Sequence, residues 1–239
     1  MSGGVKSFPG GVLLQEFPTA EEMAVFAADL FAEAAAEAIA ERGLFRVALA
    51  GGATPRRLHE VLAAPPYADL IAWNRTHVFF GDERCVPECS VERNDLAARV
   101  SLLYHVPIPP ENVHPMGAQG AAAAEWYEDE LRRHFRLRRS ELPRLDLVFL
   151  GLGPDGHTAS LFPGRPEAHV TDRLAVRVEG APKPPPDRVT LTLPVLSAAR
   201  QAVFLVAGGE KADALGRALE GDPSLPAARI RPALWLVAP

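Results

Sequence analysis

The sequence predicts an α/β protein built on a largely parallel sheet with helices on both faces. Short apolar runs alternate with helix-like stretches along the chain, the pattern of repeated strand–helix units. Residues 145–150 are apolar except for Asp146, as expected of a central strand covered on both sides. Glycine-rich turns follow several of these runs, at the strand ends where such folds hold ligands. With 239 residues and 48% hydrophobic content, the chain can bury one sizeable core. No linker divides it, so residues 1–239 are expected to form a single domain.

Residues 12–17 read as the first strand. Thr19 and Glu22 make a capping-box pattern. The helix they open is expected to reach about residue 41, with Met23, Phe26, Leu30 and Phe31 on one face and Gly43 ending it. A second strand, 46–50, leads into Gly51-Gly52-Ala53-Thr54-Pro55 and a helix to about residue 64. A third, 77–80, ends at Gly81-Asp82-Glu83-Arg84. Helices are expected over 94–103 and 121–137, the latter with Tyr127, Leu131 and Phe135 on one face. After the 145–150 strand come strands at 174–178 and 189–193. The proline-rich stretch 182–186 between them must be extended. A strand at 201–207, a helix at 209–219 and a strand at 234–237 complete the pattern.

The formal net charge is -5. The surface as a whole therefore repels nucleic acid and acidic lipid, and neither is an expected partner. An anionic ligand would need a local cationic pocket. The two cysteines, Cys85 and Cys89, are too few for a secreted disulfide scaffold. No second Cys or His pair completes a four-ligand zinc site with them, so no metal is expected. Residues 1–11 lack a basic segment followed by an apolar core. No apolar run approaches the ~20 residues of a membrane span. The default expectation is a cytoplasmic protein, a monomer or a small homo-oligomer.

Four segments at strand ends can carry chemistry, and in a parallel sheet they converge. Gly51-Gly52-Ala53-Thr54-Pro55 reads either as a phosphate cradle at a helix start or as an ordinary strand-to-helix turn. Asp82-Glu83-Arg84 reads either as a charged site element or as a solvated turn. Gly151-Leu152-Gly153-Pro154-Asp155-Gly156 satisfies the dinucleotide-binding pattern literally, with Glu179 as a candidate ribose acid. Pro163, Gly164 and Pro166 leave no room for the crossover helix that pattern needs. His157 follows this turn, two residues after Asp155. A neutral imidazole beside a carboxylate is a natural general base near neutral pH. The other six histidines, His59, His77, His105, His114, His134 and His169, lack such a setting and are read as structural. Lys211 follows Gly208-Gly209-Glu210 at a helix opening and suits a phosphate as a flexible point charge. No Gly-x-Ser-x-Gly elbow offers a serine nucleophile.

Taken in order, these segments resemble the 6-phosphogluconolactonase family. The resemblance runs from residue 47 to about 219. It rests on 51–55, on 81–84 with Val86-Pro87 and Asn94, and on 151–164 above all. It continues through Ala-Pro-Lys-Pro-Pro-Pro at 181–186, Arg-Val-Thr-Leu-Thr at 188–192 and Gly-Gly-Glu-Lys at 208–211. It implies a modified Rossmann-like, doubly wound sheet shared with glucosamine-6-phosphate deaminases and ribose-5-phosphate isomerases. It implies hydrolysis of 6-phospho-D-glucono-1,5-lactone, a small sugar-phosphate lactone, to 6-phospho-D-gluconate. That is the second step of the oxidative pentose phosphate pathway, and it needs neither metal nor organic cofactor. On this reading His157 is the base and Asp155 orients it. Thr54, Arg84 and Lys211, with the amides of Gly51 and Gly52, bind the phosphate or line its pocket, and Arg188 adds charge. Arg84 is placed at the phosphate or at the lactone carbonyl. Asp82 and Glu83 belong to the same site, next in line as bases. Ser197, Arg93 and the stretch after Trp235 depart from the family pattern. A deaminase or isomerase of the same fold would carry Asn-Glu-Pro after the histidine region. Here Ser160-Leu161-Phe162-Pro163 supplies no carboxylate. A non-catalytic sugar-phosphate-binding protein would have no need of His157 and Asp155.

Overall fold

The computed structural model describes residues 4–117 and 120–239. Residues 1–3, which begin the segment read above for a leader, and residues 118–119 lie outside that description. The elements run β1 (Lys6–Phe8), β2 (Val12–Glu16), α1 (Ala20–Arg42), β3 (Phe45–Leu49), α2 (Ala53–Leu62) and α3 (Tyr67–Leu70). They continue with β4 (Thr76–Phe80), β5 (Asp82–Arg84), α4 (Asn94–Ala98), α5 (Ala123–Phe135) and β6 (Leu147–Gly151). The chain closes with β7 (Ala175–Val178), β8 (Arg188–Leu191), α6 (Leu193–Ser197), β9 (Gln201–Ala207), α7 (Ala212–Glu220) and β10 (Ala233–Ala238).

Two sheets form. The larger has seven strands in the order β1-β2-β10-β9-β6-β3-β4, parallel except for the β1–β2 pair. From β3 the chain steps to β4 on one side and later returns to β6 on the other. The gap between β3 and β6 is therefore the point where the direction of winding reverses, the place where open parallel sheets bind ligands. The smaller sheet, β5-β8-β7, is antiparallel. It collects the strands expected near 174–178 and 189–193, which do not join the parallel sheet. The charged 82–84 turn is itself one of its strands.

The helix ends follow the sequence closely where caps are strong. Thr19 Oγ1 accepts from the Glu22 amide at 3.1 Å, and Gly43 closes α1 in the left-handed conformation. Met23, Ala27, Phe31, Ala35 and Ala38 form its buried face, while Phe26 and Leu30 pack at the margin. Phe31 packs edge-on against Phe45 at 5.2 Å and stacks over Phe149 at 6.4 Å, tying α1 to β3 and β6. The helix expected over 94–103 is shorter than read: α4 gives way to a π turn, Arg99–Leu103. The strand expected to reach 193 stops at Leu191, because Pro194 lacks the amide a strand pair needs and sits in the first turn of α6. The 209–219 helix begins with a 3-10 turn, Gly209–Lys211, ahead of α7. Among the described residues no helix is long and apolar enough to cross a membrane.

His59, on the inner face of α2, is 3% exposed. Its Nδ1 lies 3.1 Å from Ser101 Oγ, which donates to Ala97 O, so Nδ1 carries the proton. Burial pushes its pKa from 6.5 down to about 4, against the pull of Glu60. The unfolded chain therefore takes up this proton first as pH falls. His59 should contribute stability that is complete above the unfolded value and lost between 6.5 and about 4. The loss is at most about 3 kcal/mol. Urea unfolding across that range should show a shallower pH slope for His59→Leu than for the parent. Equal slopes would remove His59 from the acid response.

Candidate active site

The four glycine-marked segments do meet. The turns after β3, β4, β6 and β9 open into one cavity of about 390 Å³. Gly51, Gly52, Thr54, Asp82, Arg84, His157, Arg188 and Lys211 line it. Two expected residues do not. Asp155 sits behind His157, and Glu83 is fully buried away from the cavity. The reason for Glu83 is geometric: successive residues of a strand point to opposite faces. In β5, Asp82 and Arg84 face the cavity and Glu83 faces the protein.

Glu83 instead braces the backbone. Its Oε1 accepts from the amides of Arg84 and Asn94, both at 2.7 Å, and its Oε2 from that of Asp95 at 2.8 Å. Burial raises its pKa, while the three amides favour the charged form. This brace fixes Asn94, whose Nδ2 donates to Asp82 O at 2.9 Å and to Asp82 Oδ1 at 3.2 Å. Asn94 in turn fills the space over Gly51, where a Cβ would lie 1.8 Å from Asn94 Oδ1. Gly52, with φ +104, then turns the chain into α2. The free amides of that helix start face the cavity.

The turn after β6 is shaped around a histidine rather than a dinucleotide. His157 Nδ1 lies 2.5 Å from Asp155 Oδ1, and the His157 amide also points to that oxygen at 3.3 Å. A Cβ on Gly153 would lie 2.0 Å from His157 Nδ1, so only glycine fits there. Burial opposes charge on Asp155, but the hydrogen bonds and charge of His157 outweigh it and bring its pKa down to about 2. The carboxylate is ionised at neutral pH and holds the proton of the ring on Nδ1. Nε2 is left as the basic nitrogen of a ring that lines the cavity. Phe162 packs against the ring at 4.7 Å.

Four cations line the cavity: Arg84, Lys183, Arg188 and Lys211. Asp82 and Glu210 are its acids. Arg84 donates through Nη1 to Glu92 O, and its Nε has no partner among the described residues. Arg188 is 5% exposed and largely committed to structure. Its Nε donates to Pro185 O at 3.0 Å, and Nη2 to Lys183 O at 3.0 Å and to Pro184 O at 3.3 Å. Its Nη1 reaches Ser160 Oγ at 3.4 Å, and Ser160 Oγ donates to Asp82 Oδ2 at 2.5 Å. Arg188 thus clamps the proline-rich loop that carries Lys183. Burial lowers the pKa of Lys211, against the opposing pull of Glu210. Lys183, Glu210 and Ser160 received no role from the sequence. A lone lysine among prolines gave no signal beyond its place in the family stretch.

A family model for glucosamine-6-phosphate isomerases/6-phosphogluconolactonase matches residues 18–236. The chain belongs to this family. A 6-phosphogluconolactonase of Synechocystis sp. is 43% identical over 212 residues, 84% of this chain and 85% of that protein. One from Streptomyces coelicolor is 40% identical over 230 residues, 87% of this chain and 88% of that one. The crystal structure of a 6-phosphogluconolactonase from Thermotoga maritima superposes with a TM-score of 0.83 at 31% identity. That match covers 95% of this chain and 99% of the other. The modified doubly wound sheet is the fold of this family.

The fit of Asn94 over Gly51 can be tested by filling it. Asn94 is pinned by Asp82 and cannot swing away, so Gly51→Ala should cost about 1–3 kcal/mol through overpacking. Urea unfolding measures it. A cost under about 0.5 kcal/mol would mean that the contact yields freely.

Proposed function

We propose that the chain hydrolyses 6-phospho-D-glucono-1,5-lactone to 6-phospho-D-gluconate. The observation that carries the reading is a histidine whose Nδ1 is held by an ionised carboxylate, facing a cavity lined by four cations in a chain of net charge -5. The near 40% identity to 6-phosphogluconolactonases over most of the chain supports the substrate. The same reading puts the enzyme in the cytoplasm, where its free Cys85 and Cys89 would stay reduced.

The start of α2 offers amides and Thr54 to the phosphate, and Lys211 and Lys183 add positive charge. His157 Nε2 takes a proton from water as the water oxygen attacks the lactone carbonyl carbon. The oxyanion that forms is stabilised by the positive charge of Arg84, which lines the cavity. Asp155 stabilises the imidazolium. As the tetrahedral centre collapses, the bond to the ring oxygen breaks and His157 returns its proton to that oxygen. A new carboxylic acid results and ionises. A deaminase of this fold would need a carboxylate after the histidine. Ser160, Leu161 and Phe162 occupy that stretch and are all buried.

Freshly made lactone, coupled to 6-phosphogluconate dehydrogenase with the unaided rate subtracted, tests the activity. His157→Ala should lower kcat by about 10²–10⁴-fold with little change in KM. Acceleration in the parent and full turnover in the variant would remove His157 from the mechanism. No acceleration by folded parent would sink the lactonase reading. Lys211→Ala should mainly raise KM, because a phosphate contact is present in ground and transition states alike. An unchanged KM would take Lys211 away from the phosphate.

A further inference from the structure

Three histidines that the reaction does not use come together at the edge of the large sheet. His77 lies on β4, four residues before Gly81, so it is roughly 13 Å along the strand from the cavity mouth. His114 follows the bridge that joins Val113 to Val78, and its amide donates to Val78 O at 2.8 Å. His134 lies in the last turn of α5. One ring nitrogen from each falls within 4.8 Å of the others. None of the three lines the cavity.

We propose that His77, His114 and His134 form a binding site for a divalent transition-metal ion of the zinc class, separate from the active site. A neutral imidazole presents one lone pair, and three imidazoles with one open position are a sufficient set for such ions. His77 Nδ1 and His114 Nε2 are 3.1 Å apart. Two nitrogens at about 2.0–2.1 Å from a tetrahedral ion would be roughly 3.3 Å apart, so the spacing of this pair already suits an ion. The ion would replace the hydrogen bond that His77 Nδ1 donates to His114 Nε2 and leave the His77 proton on Nε2. The other nitrogen of His114, Nδ1, lies 2.7 Å from Glu130 Oε1. That contact holds the proton on Nδ1 and turns the Nε2 lone pair toward His77, as the outer carboxylates of metal-bound histidines do. Glu130 and His134 are four residues apart on α5 and share a face. The rings are already oriented. Phe79 stacks on His114 at 4.4 Å and meets His134 edge-on at 5.1 Å. Arg46 is the competitor: its Nε donates to His134 Nε2 at 3.2 Å. An ion on that nitrogen would displace the guanidinium, whose Cζ already lies 4.8 Å from the centre of the Phe135 ring and can shift further onto it. The bound ion would join β4, the 113–114 segment and α5, three pieces held elsewhere by packing. Its effect is on stability rather than on lactone chemistry.

The test uses tag-free, chelator-treated full-length protein titrated with Zn2+ by calorimetry and with Co2+ by visible absorption. The expected result is one ion per chain and a Tm that rises with added Zn2+. Binding should vanish in His114→Ala and in His134→Ala and persist in His157→Ala. Glu130→Gln leaves all three rings in place and should weaken binding about 10–100-fold. Circular dichroism of each variant without metal keeps loss of fold apart from loss of a ligand. No binding by the parent overturns the proposal. So does binding that survives in folded His114→Ala and His134→Ala, or that is lost in His157→Ala, which would put the ion in the cavity. If both alanine variants are unfolded, the Glu130→Gln affinity decides, and an unchanged value counts against the site.

Discussion

The floor of the cavity depends on one buried carboxylate. Glu83 draws the amides of Arg84, Asn94 and Asp95 onto its two oxygens. It thereby closes the chain that leaves β5 back onto the start of α4. Each amide left without that partner would cost about 1–3 kcal/mol. The closure sets Asn94, Asn94 sets Asp82, and Asp82 receives Ser160. Ser160 meets Arg188, which holds the loop of Lys183. A continuous run of polar contacts thus leads from a group with no access to solvent to a cation that lines the cavity.

The two sheets divide the work. The parallel sheet contributes backbone: a helix start after β3, a tight glycine turn after β6, and a 3-10 turn after β9. Its turns add the side chains of Thr54, His157 and Lys211. The small antiparallel sheet contributes charge, through Asp82 and Arg84 on β5 and Arg188 on β8. The Leu191 amide donates to Gly81 O at 2.9 Å, so the two sets are joined where β4 ends. Positive charge is concentrated at this seam although the chain as a whole is negative.

Much of this was legible in the sequence, and the exceptions have physical causes. The central strands announce themselves because burial on both faces demands mostly apolar residues. α1 was legible at both ends because Thr19 and Gly43 satisfy its end groups. β5 was not legible, since three charged residues carry no strand pattern. It is a strand because β8 pairs with it. The same blindness misplaced Glu83. Adjacent carboxylates look like one functional group in a sequence, whereas a strand sends them to opposite sides. Gly153 has a role that its motif does not announce. It completes a dinucleotide pattern, yet its missing Cβ makes room for His157. The long-range partners Ser160 and Lys183 could not be found from spacing, because the contacts that give them meaning cross between separate elements.

Arg188 is a cavity residue for which geometry counts for more than charge. Its value lies less in its charge than in its planar fork, which reaches three carbonyls and a hydroxyl in different directions. Lysine carries the same charge on a single nitrogen and could not reach them together. The neighbouring lysines face no such demand, because a flexible point charge can meet an anion from many starting positions. Two residues of equal charge in one cavity therefore differ in how freely they can be exchanged. The arginine is bound into the architecture, whereas what the lysines offer the cavity is charge.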